Sequence, residues 1–314
     1  MSSSPISAPA YKDLWRDDMR GGVAWGVFGT EDQLGTLNFI TPEKRVSAAG
    51  LVREGKVFPL ALPQNFFEPP LSATRGNTRQ HLLVGDISLD DRFDDFYPQA
   101  SSQWDALKHY GHPKYGSYNG ASRTEILENP ERLAIGRIAE QGVFTRGVLL
   151  DLARFRTSVG RPVDPRTDTT YDLADIQGCL QWQGSTLEPG DVVLARTGWL
   201  DYWKREGAAQ PRSAERPKCP GLLNDHSIAE FLWNNRVAAI VGDNLALEAS
   251  PGPGGRTLHI FLMTFLGMWI GEFWDLDALA EHCAADGRYE FLLASAPMNL
   301  PGGCGSPANA LAIK

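Results

Sequence analysis

The chain has 314 residues, of which 42% are hydrophobic, so it is long enough to build one large domain or two smaller ones. Its formal net charge of −8 argues against a nucleic-acid-binding protein, which needs a basic face. Four scattered cysteines without a CxxC pair fit a reducing compartment and argue against a cysteine-built zinc site. We find no signal-peptide pattern and no apolar run long enough for a membrane span, and we therefore predict a cytoplasmic protein.

The first half of the chain contains one clear helix signal and two strand signals. Residues 1–24 are polar and predict an N-terminal lead-in, followed by a domain over 25–314. Thr41 is followed by Pro42, which predicts a capped helix that ends near Gly55. The next segment, KVFPLALPQ, predicts a strand. Two short apolar runs bounded by turn residues predict buried strands at Arg146–Arg154 and Asp191–Trp199.

The second half alternates between helix and strand patterns. Helices are predicted in DLADIQGCLQWQG, HSIAEFLWNNR, RTLHIFLMTFLG and LDALAEHC. Strands are predicted in VAAIVGDN, MWIGEFW and RYEFLLASAPM. Strands that alternate with helices indicate an α/β architecture.

Two pairs of residues have the chemistry of a metal or acid–base site. Asp105 and His109 stand four apart in SSQWDALKH, which we interpret as a loop, and can ligate a metal together or form an oriented base. A capping aspartate with a packed histidine explains the same spacing. His259 lies in an apolar helix pattern, and Glu272 follows the apolar run MWIG. A metal, a hydrogen-bond donor or an arginine such as Arg256 can compensate a buried Glu272.

A third polar group follows the predicted strand VAAIV. Asp243 and Asn244 leave its carboxyl end, with Glu248 close behind in GDNLALEASPGPGG. Ligands gather beyond the carboxyl ends of strands in α/β sheets, so this segment indicates a pocket wall or a plain turn. A phosphate loop, a GxSxG nucleophile elbow and a dinucleotide-binding GxGxxG are all missing.

Taken in order, these segments resemble the cyclase family of metal-dependent hydrolases, which includes kynurenine formamidases, isatin hydrolases and trans-dienelactone hydrolases. The resemblance runs from WGVFGTEDQLGTLNFITPEK through SSQWDALKH and YNG to PGGCGSP. It implies a compact α/β domain with a mixed, barrel-like β-core and surrounding helices, as in kynurenine formamidase. It also implies a homodimer or homotetramer that acts on a small-molecule substrate, without nucleic acid or membrane.

The family signature HxGTHxDxPxH falls on Gln99–His109, and two of its histidines are missing. The resemblance implies that Asp105 is a metal ligand and His109 the general base, with His259 and Glu272 as downstream ligands. The two early histidines are glutamines here, Gln99 and Gln103. An amide oxygen is a weaker donor than imidazole, so we predict at most one firmly bound Zn²⁺ or Mn²⁺ per chain, with Gln103 or His109 completing the ligand shell.

The implied reaction is hydrolysis of a cyclic carboxylic amide, imide or lactone. A lyase or cyclase that uses the same site, and a binding protein without activity, remain alternatives. We predict that the substrate is contacted by aromatic and polar side chains around the metal, namely Trp104, Tyr118, Arg196, Trp199, Asp243, Asn244 and Trp274. For each aromatic residue taken singly, ordinary core packing is the favoured explanation, and Arg196 can instead pair with a structural acid.

Overall fold

A nine-stranded mixed sheet forms the centre of the computed structural model, which describes residues 8–207, 217–251 and 257–314. The strands are β1 Trp15–Arg16, β2 Gly21–Gly22, β3 Val57–Pro59, β4 Arg79–Val84, β5 Leu89–Asp94, β6 Gln103–Asp105, β7 Val143–Asp151, β8 Thr170–Tyr171, β9 Val192–Arg196, β10 Gly221–Leu222, β11 Ala239–Gly242, β12 Trp269–Glu272, β13 Glu290–Ser295, β14 Gly305–Pro307 and β15 Ala310–Ile313.

The helices lie mainly between and around these strands. They are α1 Pro42–Ala49, α2 Arg123–Glu128, α3 Gly136–Gln141, α4 Leu152–Ser158, α5 Leu173–Gln183, α6 Trp199–Arg205, α7 His226–Asn234, α8 Thr257–His259 and α9 Asp277–Asp286. Helix α8 continues directly into a π-helix over Ile260–Phe265. Within the described residues, 3₁₀ turns cover Tyr11–Leu14, Gly35–Phe39 and Tyr118–Gly120.

The large sheet has a parallel centre and antiparallel flanks. Its order is β14-β6-β12-β11-β9-β7-β13-β15-β3, and the strands from β12 to β7 pair in parallel. Helical segments connect these parallel strands, because parallel neighbours need a crossover. The sheet curls into a half-barrel, which confirms the predicted α/β single domain with a mixed, barrel-like β-core.

Both faces of the central strands are buried, because successive residues enter two different hydrophobic clusters. Val192 and Leu194 of β9 join the cluster that contains Trp104, whereas Val193 and Ala195 join the cluster packed with α5 and α7. A strand buried on both sides needs apolar residues at every position. This explains why β9 appears in the sequence as a continuous apolar run.

Most predicted elements are present with shorter bounds. The Thr41 side chain caps α1 by accepting from the backbone N–H of Lys44 at 3.2 Å, but the helix ends at Ala49 instead of near Gly55. Trp199, predicted at the end of a strand, begins helix α6. The predicted pocket wall over 242–255 is described only to residue 251, and Arg256 lies outside the described residues.

The prediction of a loop at 101–109 is wrong in its centre, where β6 pairs with β12 and β14. Polar residues on this short buried strand hide it from a hydrophobic pattern. Residues 8–24 lie against the body of the protein, since the backbone N–H of Ala24 donates to the carbonyl of Phe265 at 2.8 Å. The predicted domain boundary after residue 24 stays a prediction. No helix within the described ranges combines the length and the apolar character that crossing a membrane requires.

Candidate metal centre

Two antiparallel strands bring three polar side chains to one face of the sheet. Glu272 of β12 lies directly opposite Gln103 of β6, and residues opposite each other in an antiparallel pair project to the same side. Asp105 stands two residues further along β6 and therefore shares that side. The amide Nε2 of Gln103 donates to Glu272 Oε2 at 2.7 Å. All three side chains are buried.

His259 approaches this group from the end of α8. Its Nε2 lies 3.3 Å from Glu272 Oε1, and the residue is completely buried. On the other side of the ring, Nδ1 lies 2.6 Å from Glu248 Oε2 and 2.8 Å from Oε1. The backbone N–H of His259 also donates to Glu248 Oε1, at 3.2 Å. Glu248 therefore fixes the ring with Nε2 facing the strand carboxylates.

The ligand atoms of Asp105, His259 and Glu272 all lie within 4.8 Å of one another. Among the described residues, the buried polar atoms around this centre that lack a hydrogen-bond partner include Asp105 Oδ2, Gln103 Oε1 and His259 Nε2. Buried polar atoms are nearly always hydrogen-bonded, and unsatisfied ones call for an explanation such as a bound ion. Two carboxylates and an imidazole form a donor set that suits a divalent metal.

Burial and neighbouring charges together determine the ionisation of this centre. Burial lowers the pKa of His259, but the carboxylates of Glu248 and Glu272 outweigh it and raise the pKa to about 10. Burial raises the pKa of Asp105, and the Glu272 carboxylate adds to this, although His109 and His259 oppose it. The metal-free centre therefore holds a proton on His259 at neutral pH.

His109 lies at the edge of the centre, after a tight turn in which its backbone N–H donates to the carbonyl of Ala106 at 2.7 Å. Its Nε2 is 3.8 Å from Asp105 Oδ1, and its side chain is 22% exposed, so it borders both the buried carboxylate and solvent. Gln99 bridges the two residues: its Nε2 donates to Asp105 Oδ1 and lies 3.1 Å from His109 Nδ1.

A cavity next to the centre reaches Glu272. It is lined by Pro70, Leu71, Ser72, Arg75, Ala100, Leu245, Glu272 and Phe273. Arg75 also donates to the backbone carbonyl of Gln99. Residues 70–75 therefore supply part of the wall beside the centre.

The aromatic side chains predicted to contact the substrate have packing and hydrogen-bond partners within the protein. Trp104 and Trp274 meet edge to face with ring centroids 5.0 Å apart, and the indole N–H of Trp104 donates to Ser295 Oγ at 2.9 Å. The hydroxyl of the buried Tyr118 donates to Asp32 Oδ2 at 3.1 Å. Trp104 projects to the opposite side of β6 from its neighbours Gln103 and Asp105, because successive strand residues alternate.

Trp199 and Arg196 have structural partners as well. Trp199 stacks on Trp203 with ring centroids 5.1 Å apart. Arg196 forms ion pairs of 3.0 Å with both Asp151 and Asp277. The alternative that Arg196 pairs with structural acids is therefore the one that the geometry favours over a clamp for a substrate carboxylate.

Asp243 and Asn244 organise the turn behind β11. Asp243 Oδ1 accepts from the backbone N–H of Thr197 at 2.8 Å and from its hydroxyl at 2.6 Å. Asn244 Nδ2 donates to the carbonyl of Leu247 at 3.2 Å, and its own carbonyl accepts from the N–H of Phe273 at 3.2 Å. Asn244 thus ties the segment that carries Glu248 to the end of β12. None of the seven predicted substrate contacts lines the described cavity beside Glu272.

A second group of possible ligands lies elsewhere on the described surface, and cations already neutralise it. Glu54, His282 and Asp286 can approach one another closely enough for an ion. However, Arg288 pairs with both carboxylates at 3.0 Å, and Lys314 Nζ lies 2.9 Å from Asp286. This arrangement is an ion-pair network.

Two residues of the centre, Gln99 and Glu248, were not predicted to have these contacts. From the sequence, Gln99 was only a departure from the family signature, and Glu248 was only part of a predicted pocket wall. The signal for Glu248 was its place soon after the carboxyl end of β11. Leu247, just before it, has a left-handed backbone with φ of 59°, and Phe273, just after Glu272, has φ of 60°. Bulky residues rarely adopt this conformation, and such strain gathers at functional sites.

A family model and a solved structure both relate this chain to the same family. Residues 52–249 match the Cyclase family model, described as "Putative cyclase". A solved structure described as a novel cyclase shares 32% identity and a TM-score of 0.83, covering 93% of this chain and 99% of that one. No curated protein matches the chain.

Two isatin hydrolase structures are similar in fold. Isatin hydrolase A from Labrenzia aggregata, bound to benzyl benzoate, has a TM-score of 0.58 and 18% identity, over 86% of this chain and 97% of that one. Isatin hydrolase A from Ralstonia solanacearum has a TM-score of 0.58 and 16% identity, over 87% and 98%. At these identities the likeness shows the fold.

Proposed function

The chain belongs to the cyclase family, and from this premise we propose that it is a divalent-metal-dependent hydrolase. Its substrate in this proposal is a small cyclic carboxylic amide, imide or lactone. The observation that carries the proposal is the buried convergence of Asp105, His259 and Glu272 beside the imidazole of His109.

One divalent ion fits the residues present. Asp105, His259 and Glu272 would hold it, and the partnerless amide oxygen of Gln103 is placed to join them. When bound, Zn²⁺ or Mn²⁺ supplies a Lewis acid that polarises a carbonyl and lowers the pKa of water. The amide nitrogen of Gln99 faces Asp105 and His109, so this position lacks the imidazole that a second ion needs.

His109 acts as the general base in this proposal. An imidazole that borders both a buried carboxylate and solvent can take a proton from the attacking water and deliver it to the leaving group. Asp105 orients the ring from one side, and Gln99 contacts it from the other. These contacts, at 3.8 Å from Asp105 and 3.1 Å from Gln99, would favour one orientation of the ring for proton transfer.

Glu248 acts through His259 instead of touching substrate. Its two oxygens hold Nδ1 and the backbone N–H of His259, which leaves Nε2 as the ligating atom. Partners of this kind orient ligating histidines and increase their basicity. The cavity at Glu272, with apolar walls from Leu71, Leu245 and Phe273, lies beside the centre on the side where we propose that the substrate approaches.

The test is a hydrolysis assay of the full chain loaded with Zn²⁺ or with Mn²⁺, on a panel of cyclic imides, lactones, aryl formamides and isatin, in ¹⁸O-labelled water. The proposal predicts a ring-opened product that carries ¹⁸O in its new carboxylate. His109→Ala should lower turnover by roughly a hundredfold, the usual scale of a lost general base. His226→Ala, which changes an exposed histidine on α7, should leave turnover unchanged.

Each alternative gives a different result in the same assay. A lyase or cyclase would leave the cyclic compounds of the panel unconverted, and would instead close the corresponding ring-opened acids with loss of water. A binding protein would retain ligands from the panel without converting them. Near-normal turnover in His109→Ala would refute the role of the base, whatever the substrate.

A further inference from the structure

The carboxyl ends of β11 and β12 lie side by side next to the candidate metal centre. The two strands pair in parallel, so the segments that follow them leave the same edge of the sheet. Strand β12 ends with Glu272, and the segment after β11 runs through Asn244 to Glu248, whose carboxylate contacts His259. Two neighbouring chain segments therefore carry the two glutamates of the centre.

Each of these segments contains a bulky residue in the left-handed backbone conformation. Leu247, just before Glu248, has φ of 59°, and Phe273, just after Glu272, has φ of 60°. A bulky residue stays in this conformation only where its surroundings hold it there. The position of each glutamate therefore depends on contacts that hold its left-handed neighbour.

Asn244 contacts both left-handed residues. Its side-chain Nδ2 donates to the carbonyl of Leu247 at 3.2 Å, and its backbone carbonyl accepts from the N–H of Phe273 at 3.2 Å. Nδ2 also donates to the carbonyl of Pro220 at 2.8 Å, which ties the side chain to the segment before β10. Asn244 is completely buried, so these hydrogen bonds lie away from water. One residue thus bridges the two segments.

The amide nitrogen is the part of the Asn244 side chain that these hydrogen bonds use. Its Oδ1 has no hydrogen-bond partner among the described residues. A Cβ atom at Gly242 would lie 2.6 Å from that oxygen, so the glycine at the end of β11 leaves the room that the side chain occupies. Asn244 therefore serves as a donor to backbone carbonyls at this edge of the sheet.

We infer that Asn244 is a positioning residue of the candidate metal centre and acts by holding Glu248 against His259. The inference rests on the proposed function, because it takes His259 to be a ligand of the proposed ion. Asn244 fixes the carbonyl of Leu247, the residue just before Glu248. Glu248 Oε2 in turn lies 2.6 Å from His259 Nδ1. Loss of the amide should leave His259 in the centre but loosen the orientation of its ring.

The first measurement uses the full chain without metal. An Nδ1–H of His259 that is hydrogen-bonded to the Glu248 carboxylate should give a far-downfield ¹H NMR resonance in protein labelled with ¹⁵N-histidine, and burial should protect it from exchange. Its loss in Glu248→Gln assigns the resonance. We expect Asn244→Leu, which removes the amide from a side chain of similar size, to shift or broaden this resonance.

Thr145→Val is the matched control. Thr145 is completely buried, and its hydroxyl donates to the carbonyl of Gly190 at 2.7 Å, so this variant also loses a buried hydrogen bond from a side chain to the backbone. Thr145 lies on β7, which β9 and β11 separate from β12. Both variants should melt below the wild type, but only Asn244→Leu should change the resonance of His259.

The second measurement is metal affinity, by competition with a chromophoric chelator for Zn²⁺ and for Mn²⁺. Asn244→Leu should weaken binding by roughly tenfold, the scale of a disturbed partner of a ligating histidine. Because Asn244 acts through Glu248, adding Asn244→Leu to Glu248→Gln should weaken binding no further, within about twofold, whereas independent effects would multiply. Thr145→Val should bind both ions like the wild type.

An unchanged resonance and unchanged affinity in Asn244→Leu would overturn the inference. Losses that multiply in the double variant would also overturn it, and so would a Thr145→Val variant that behaves like Asn244→Leu. A wild type that binds neither ion would refute the proposed function, and the resonance of the metal-free protein would then decide the inference by itself. If Asn244→Leu does not fold, Asn244→Ser, which is smaller and brings no new clash, is measured in its place.

Discussion

Replacing Glu248 with glutamine removes the charge that holds His259 while keeping the length of the side chain. Glu248 is buried, and both of its oxygens lie within 2.8 Å of His259 Nδ1. Glutamine keeps one acceptor and places an amide N–H₂ where the second oxygen was, so one of the two contacts becomes donor against donor. The ring loses its fixed orientation and part of its basicity.

The expected loss is in metal affinity. Removing an outer partner of a ligating histidine costs about tenfold to a hundredfold in affinity, or about 1.4 to 2.7 kcal/mol. The assay is competition with a chromophoric chelator for Zn²⁺ and for Mn²⁺ on the folded, purified protein. Glu128→Gln is the matched control, because Glu128 is exposed and distant from the centre. Wild-type affinity in Glu248→Gln would refute the positioning role.

Three further outcomes follow from the same geometry. Because the pKa of His259 is raised to about 10, the metal-free protein holds this proton at pH 7 and must release it on metal binding. Metal affinity should therefore rise about tenfold per pH unit between pH 6 and 8. Calorimetry of metal binding in buffers of different ionisation enthalpy should show the release of about one proton per ion. Metal affinity that does not change with pH would contradict this prediction. Gln99→Leu should lower turnover by roughly tenfold and leave metal content unchanged, because Gln99 contacts His109 through its amide nitrogen; lost metal would instead make Gln99 a ligand. Trp104→Phe should lower the free energy of unfolding by about 1 to 3 kcal/mol, because the hydrogen bond to Ser295 is lost and a space is left unfilled, and it should leave KM unchanged. A raised KM in a variant of wild-type stability would indicate that Trp104 contacts the substrate.

The sequence was most informative where a strand is buried on both faces. The strand at Val192–Arg196 could be recognised because its first four positions are all apolar, and the cap at Thr41 because capping needs a specific side chain. Bounds were less predictable. Helix α1 ends at Ala49, six residues before Gly55, with Gly50 as its C-cap. The sequence offers two glycines as stop signals, and the first of them ends the helix.

Strand β6 was not predicted, because the polar residues that it contributes to the candidate metal centre hide it from a hydrophobic pattern. Gln103 and Asp105 are polar but buried, and hydrophobic periodicity assigns such residues to a loop. Their burial becomes intelligible only once β12 supplies Glu272 opposite Gln103. Pairing between distant strands is not visible in one sequence, and the family resemblance was the only guide to the meeting of Asp105 and Glu272.

For the remaining site residues, the sequence could not show which neighbours each side chain contacts. Arg196, Asp243 and Asn244 have the residue types of substrate contacts, and each is instead engaged within the protein. Glu248 was visible as a polar residue beyond a strand, but its contact with His259 depends on the turn that Asn244 holds. Residue type limits what a side chain can do, and the three-dimensional neighbours determine which of those options is used.

The most direct test of the central claim is the metal content of protein purified without chelator or metal column, measured by elemental mass spectrometry. The account predicts about one Zn²⁺ or Mn²⁺ per chain, lost in Glu272→Ala and retained in His282→Ala, which changes the second ligand group on the surface. Protein that binds no ion even when metal is offered back, or that loses its ion in His282→Ala and keeps it in Glu272→Ala, would contradict the account.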